Sequence, residues 1–459
     1  MCWTLPEPAR RRNPRRVGHR VAALTAAATL VATLAPGCAP PPTPSAHAAD
    51  PGVRIDIRTP PGLRAQQTVD MLNSDWPIGP VGVRTLAAPD MVEQVEATME
   101  ELWWDRPFTL RGVDISAGTA TLRLTSSYGA QQSVRIHTDD NTLVDGFDVT
   151  TRTPKISSWR DLDATLTKTG ARYSWQAAKV NDGKCDRVAG TNTAQSLPLA
   201  SIFKLYVLYA VAEAVKAGTL SWDDQLTVTD KGKAVGSGME LPVGAHVSVR
   251  KAAEKMIATS DNMATDMLIG IVGTHAVERA LADAGHHDPA AMTPFPTMYE
   301  LFSVAWGRPD LREQWKHATT AQARAELLQH ADSLAYQPDP ERAHTPASGY
   351  GAEWYGSAED ICRVHVALQA GAVGAAAPVK QILAAVPGVD LDRREWPYVG
   401  AKAGGLPGDL TFSWYAVDRT GQPWVLSFQL NWARDHGPTV TGWMLKIVKQ
   451  VFALLPVQR

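Results

Sequence analysis

Leu199–Ala217 reads LASIFKLYVLYAVAEAVKA, and the nature of this run decides how the rest of the chain must be arranged. It is apolar almost all round, which marks a buried helix rather than a surface one. Lys204, Glu213 and Lys216 interrupt it, so a core helix is a better reading than a membrane span. Pro198 fits an early helical position. Burial alone does not explain Ser201-Ile202-Phe203-Lys204. Positions i and i+3 share a helix face, so the Lys204 amine can reach the Ser201 hydroxyl. A serine is a poor nucleophile until a base takes its proton, and a buried lysine can lose its charge and act as that base. The helix N-terminus adds backbone N–H groups that can hold an oxyanion.

Ser-x-x-Lys alone is a weak signal, with ~0.7 matches expected by chance. A second match, Ser248-Val249-Arg250-Lys251, precedes a helical run, and its Ser is more simply a cap. Ser260-Asp261-Asn262 is far rarer, expected on the order of 0.02 times in such a chain. It falls between the helical runs Val249–Ala258 and Ala264–Ile271. A third element, Lys402-Ala403-Gly404-Gly405, leads into a hairpin, Phe412–Asp418 and Trp424–Trp432, turning at Thr420-Gly421-Gln422.

These three elements, in this order, resemble the Ser-x-x-Lys, Ser-Asp-Asn and Lys-Thr-Gly set of class A β-lactamases and penicillin-binding proteins. The likeness runs through GMELPVGAHVSVRKAAEKMIATSDNMATDMLIGIVG (238–273), GSAEDICRVHVALQAG (356–371) and KAGGLPGDLTFSWYAVD (402–418), within Ser157–Arg459. The resemblance implies a serine acyl hydrolase working through an acyl-enzyme. Ser201 is its nucleophile and Lys204 the acylation base. Ser260 passes a proton to the leaving group, and Lys402 biases that proton and draws substrate carboxylates. Asn262 and Gly404 contact substrate, and the N–H groups of Ser201 and Gly405 form the oxyanion hole. Ala403 departs from the pattern, removing a hydroxyl that helps bind a carboxylate. No Glu-x-x-x-Asn follows Ser260. Glu300 lies at about the right distance for a deacylation base, but Val304 stands in the place of the Asn, and a structural Glu at a helix start is the competing reading. Asp310–Ala335, a polar helical segment, accounts for extra length before Lys402 and is positioned to cover the site.

Outward from this core, Ser158 can cap a helix through about Lys168 that Gly170 ends, and Tyr173–Val180 reads as a strand closed by Asn181-Asp182-Gly183. A helical pattern, Val440–Leu455, finishes the chain. Strands at both ends and helices between them imply one sheet completed by both ends of the unit 157–459. Before it, residues 49–152 form a small α+β unit. Leu63–Leu72 and Asp90–Trp104 carry helical periodicity, with Met91, Val95 and Met99 on one face. Ala120–Thr125, Val134–His137 and Leu143–Val149 then alternate as strands. This helix-plus-meander unit is expected to be cystatin- or NTF2-like. Its pairing with the larger unit is similar to a narrower group, typified by the two-domain esterase of the clavulanic acid biosynthetic cluster. Trp103-Trp104 can line a pocket there, or supply one core residue and one at a contact between units.

The 459 residues, 44% hydrophobic and 20% charged, suit a folded globular chain of two units. Residues 1–48 read as an export signal: Arg10, Arg11, Arg12, Arg15, Arg16 and Arg20, then the apolar run Val21–Ala35, then Ala46-His47-Ala48. Cleavage after Ala48 and lipid attachment at Cys38 both remain open, and the expected location is secreted or envelope-associated. The signal holds six arginines and one acid, Glu7, so its loss takes the formal charge from -2 to -7. That balance gives no reason to expect nucleic acid as partner. Ala39–Asp50, rich in proline, is a tether. Cys185 and Cys362 can pair in an oxidising compartment or stay as small buried residues. No cofactor is expected, and no metal: His286-His287-Asp288 has no partner at ligand spacing and reads as a loop. Three functions follow. They are hydrolysis of β-lactams with weak turnover, hydrolysis of another ester or amide, and a dormant penicillin-binding-like scaffold.

Overall fold

The computed structural model describes residues 52–236 and 238–455; the export signal, Cys2, Cys38 and the tether lie outside the described residues. Helices α1 (Pro60–Leu72), α2 (Pro80–Leu86) and α3 (Val92–Trp103) precede strands β1 (Thr109–Ser116), β2 (Thr119–Thr125), β3 (Gln131–Thr138) and β4 (Val144–Arg152). The strands form an antiparallel meander in the order β1-β2-β3-β4. Thr59 starts α1 by accepting the Gly62 N–H, with prolines next, where a helix has N–H groups to spare. On β2, Ala120, Leu122 and Leu124 alternate onto one buried face and join Val95 and Met99 of α3 in a core of their own. The sequence reading missed α2 and β1.

The larger unit opens with α4 (Trp159–Thr167), β5 (Arg172–Asn181), β6 (Lys184–Thr191) and β7 (Leu197–Pro198). Its helical part contains α5 (Lys204–Lys216), a small hairpin of β8 (Gln225–Thr227) and β9 (His246–Ser248) flanking α6 (Asp230–Ala234), then α7 (Val249–Ala258), α8 (Asn262–Val272) and α9 (Thr274–Asp283). There follow α10 (Met298–Trp306), α11 (Arg312–His317), α12 (Ala321–Ser333), β10 (Tyr355–Gly356), α13 (Ala358–Gly371) and α14 (Pro378–Ala384). Strands β11 (Tyr398–Leu406), β12 (Asp409–Val417) and β13 (Pro423–Asn431) lead to α15 (Pro438–Phe452). The sheet order is β11-β12-β13-β5-β6, so both ends of the unit complete it, as expected. β12 and β13 are buried at successive positions because both sheet faces are covered. Leu162 of α4 and Trp443, Met444 and Ile447 of α15 pack with Phe412, Trp414 and Phe428 on one side, and α13 covers the other.

Ser158 caps α4 through the Asp161 N–H, and Ser248 caps α7 through the Lys251 N–H, the simple reading of the second Ser-x-x-Lys. Cys185 of β6 and Cys362 of α13 are joined as a disulfide, tying an edge strand to the helix beside it across 177 residues of chain. No single helix among the described residues is long and apolar enough to cross a membrane. The two units meet where α3 ends. Trp103 is core and donates to Ser74 O, whereas Trp104 packs on Gly437 and the His344 ring of the larger unit.

Candidate active site

The backbone before Ser201 differs from the expected helix start. Pro198 sits in β7, paired with Tyr355, and the Leu199 N–H donates to Trp354 O at 2.8 Å. The turn Ala200–Phe203 is 3-10, and α5 begins only at Lys204. Ala200 has φ +43°, a left-handed conformation that costs a non-glycine residue about 1–2 kcal/mol. That break in direction is why the helix cannot start at Pro198. Trp354 stacks on Phe203 with ring centroids 3.7 Å apart, which fixes the turn from below.

Lys204 is fully buried. Its amine donates to Ser260 O at 2.6 Å, Ser260 Oγ at 3.2 Å and Asn262 Oδ1 at 2.7 Å. Ser260 also has a left-handed backbone, φ +57°. Asp261 holds it there: one carboxylate oxygen caps α8 through the Ala264 N–H and the other accepts the Gly238 N–H. Asn262 was expected to hold a substrate amide. Its own amide is engaged at both ends, with Nδ2 donating to Val235 O, so substrate contact would require an exchange of partners.

Lys402 arrives from β11, the edge strand nearest the Ser201 turn. Its amine is 3.0 Å from Ser260 Oγ and 2.5 Å from Ala403 O, and among the described residues it makes no ion pair. Burial, then the neighbouring Lys204 charge, push its pKa well below the usual lysine range. Behind it lies a support that the sequence reading missed. His365 of α13 meets Ser413 Oγ at 2.9 Å, and Ser413 donates to Lys402 O at 3.0 Å. Burial lowers the His365 pKa to about 3, so the ring is neutral. Gly404 is obligatory: a Cβ there would lie 2.5 Å from Ser201 N and 2.6 Å from Thr411 Oγ1. Gly405 follows on the same edge strand, opposite Leu410.

A serine hydroxyl has two lone pairs and one proton. Both lysines approach the Ser260 oxygen, so its lone pairs are taken and its proton is left to point elsewhere.

Glu300 stands at the third position of α10. Its Oε2 accepts the Thr297 N–H and Oγ1–H, closing a capping box. Burial raises its pKa, and the charges acting on it are Asp332 and Lys231. The helix start is reinforced by Asp266, which accepts the Met298 and Tyr299 N–H groups. The segment 310–335 is two helices, α11 and α12. Their contacts run to α10, to Gly351 O through Trp315, and to Lys231 through Asp332.

His286 and His287 do find a ligand-like partner, Asp360, 73 residues from His287 and therefore invisible to a spacing rule. The cluster is already saturated. His286 pairs with Tyr355 O and the Asp288 N–H, His287 Nδ1 with Asp360 Oδ2 at 2.5 Å, and Asp360 also takes Ser357 and the Arg363 guanidinium. Arg363 supplies the cation that a metal would otherwise be. Burial works to raise the Asp360 pKa, but the Ser357 N–H, His286 and the other partners hold it at about 2.

Residues 157–333 match the model of the Beta-lactamase enzyme family, and residues 57–144 match the model described as ORF 12 gene product N-terminal. Among solved structures, the β-lactamase from Sphaerobacter thermophilus DSM 20745 is 19% identical, with TM-score 0.45, covering 66% of this chain and 99% of its own. PBP-A is 14% identical, with TM-score 0.45, over 67% and 99%. A variant of the class A β-lactamase of the last common ancestor of Gram-negative bacteria is 15% identical, with TM-score 0.47, over 64% and 97%. No curated protein matches.

Proposed function

Because residues 157–333 match the Beta-lactamase enzyme family, we propose an exported serine acyl hydrolase that forms an acyl-enzyme on Ser201, with β-lactams as substrates and weak turnover. The observation that carries this reading is the convergence of two lysine amines on one hydroxyl, Ser260, one of them from Lys204, three residues after Ser201. Ser201 Oγ bonds to the carbonyl carbon, and its proton passes to the amine network, with Lys204 as base. The C–N bond breaks, and the leaving nitrogen takes the Ser260 proton, which Lys204 or Lys402 replaces. The Ser201 and Gly405 N–H groups hold the oxyanion meanwhile. Strained backbones at Ala200 and Ser260 are in keeping with a site whose geometry is imposed by its surroundings.

Hydrolysis of the acyl-enzyme needs a base for water. Glu300, the one candidate from sequence, is engaged in its capping box. Acylation and deacylation are therefore unequal. Ala403, exposed and without a hydroxyl, favours a second reading: esters that carry no carboxylate for this position. Intact-mass spectrometry after mixing with a penicillin, a cephalosporin and simple acyl esters tests the proposal. An adduct of one acyl group, absent in Ser201→Ala, is expected; no adduct with any of them leaves only a dormant scaffold. Export belongs to the same proposal, and N-terminal analysis should find Ala49 or a lipid-modified Cys38.

A further inference from the structure

Resting on the reading of Ser201 as nucleophile, we propose that the first unit is a positioning element for the site, with Trp104 holding the loop and the hairpin that border Ser201. Trp104 follows α3 as its C-cap and lies outside the core of its own unit. Its ring lies 4.2 Å from the His344 ring, centroid to centroid, tilted by 35°. His344 Nδ1 pairs with Asp435 Oδ2 at 2.9 Å. Asp435 Oδ1 in turn accepts the Gly408 N–H at 3.4 Å and the His436 N–H at 3.0 Å.

Gly408 is the turn of the β11–β12 hairpin, three residues after Gly405. It is gripped from two sides. The Trp432 N–H donates to its carbonyl at 2.7 Å, and a Cβ at Gly408 would lie 2.7 Å from Pro346 Cγ. His344 and Pro346 belong to the segment between α12 and β10. That segment runs on to Trp354, which accepts the Leu199 N–H and stacks under Phe203. The hairpin carries Lys402 and the Gly405 amide, and the segment supports the Ser201 turn. Both are tied at His344 and Asp435, and Trp104 closes over that tie from the other unit.

The docking of the units does not depend on the Trp104 ring. Arg434 donates to Arg106 O and Trp104 O, Asp105 accepts from Thr439, and the Tyr128 ring packs on Trp443, all through other groups. Trp104→Ala should therefore keep both units folded and docked while freeing His344.

The test uses the full chain and measures acylation by a chromogenic cephalosporin in stopped flow, with melting temperatures alongside. The limiting acylation rate constant of Trp104→Ala should fall roughly tenfold or more, as a misplacement far from the chemistry can do, while its half-saturation concentration moves less. Trp104→Phe, which keeps a ring on His344, should recover most of the rate. His344→Ala should match Trp104→Ala, with the double variant no worse than either. A wild-type rate constant in Trp104→Ala, or a loss that Phe does not restore, overturns the inference while leaving Ser201 as nucleophile. If the wild type itself forms no adduct, the functional reading fails and the inference falls with it.

Discussion

Two clusters of buried charge flank the Ser201 turn, and the fold treats them in opposite ways. At Asp360, the charge is surrounded by partners: the Ser357 N–H and hydroxyl, His287, and the Arg363 guanidinium. At Lys402, the amine meets one hydroxyl and one carbonyl, with a second lysine close by. The first arrangement stabilises its charge; the second makes its charge easy to lose. A saturated ionic cluster holds structure, and an unsaturated one is available for proton transfer.

Substitutions should separate the two. Ser201→Ala, on the turn packed against β11, should abolish acylation, and Lys204→Ala nearly so, by on the order of a thousandfold or more. Circular dichroism should find Ser201→Ala folded like the wild type. Unchanged turnover in Ser201→Ala would remove the distinction altogether.

Asp360→Ala should do the reverse, costing about 1–3 kcal/mol of stability in denaturant titration by removing the partner of His287 and leaving Arg363 with Glu359 alone, with acylation per folded molecule retained. The Asp360 pKa is held at about 2, below the ordinary aspartate value of 3.8. Its contribution is therefore present above pH ~4 and lost as pH falls through about 2. Melting curves between those values should show a steeper acid loss for wild type than for the variant.

Lys402→Met sharpens the contrast further. The folded-state pKa of Lys402 is depressed, so between that value and the unfolded one the unfolded chain binds more protons, and stability rises with pH. Removing the buried charge should raise stability at pH 7, on the order of 1–3 kcal/mol, while acylation collapses. A destabilised Lys402→Met would mean that the amine is as well paired as Asp360.

The smallest effect belongs to Glu300→Gln. Glutamine can still accept in the capping box, so stability should stay within about 0.5 kcal/mol and the deacylation rate should hold. A collapse of deacylation would make Glu300 the water's base.

The chemistry in the sequence was legible where it is local or carried by a rare motif. Lys204, Ser260 and Lys402, each from a different motif, come together at the Ser260 hydroxyl. The meander's β2 was readable because one face is buried and the other is not. Elements without such contrast were not. β6, KCDRVAGT, is a half-exposed polar edge whose pairing is evident only beside β5. α2 is a seven-residue helix that opens Pro-Val-Gly. Of the contacts distant in sequence, Cys185 with Cys362 stood as one of two readings, whereas Asp360 with His287 and His365 behind Lys402 left no trace. Pro198 misled for a related reason. Its missing N–H suits a helix start and equally a two-residue strand, and the partner that decides, Tyr355, lies far along the chain.

Pre-steady-state kinetics with a chromogenic cephalosporin test the central claim most directly. An acyl-enzyme on Ser201, served by the two lysines and Ser260 and lacking an efficient base for water, predicts a burst close to one equivalent per enzyme followed by slow turnover. Turnover at hundreds per second without a burst would contradict it.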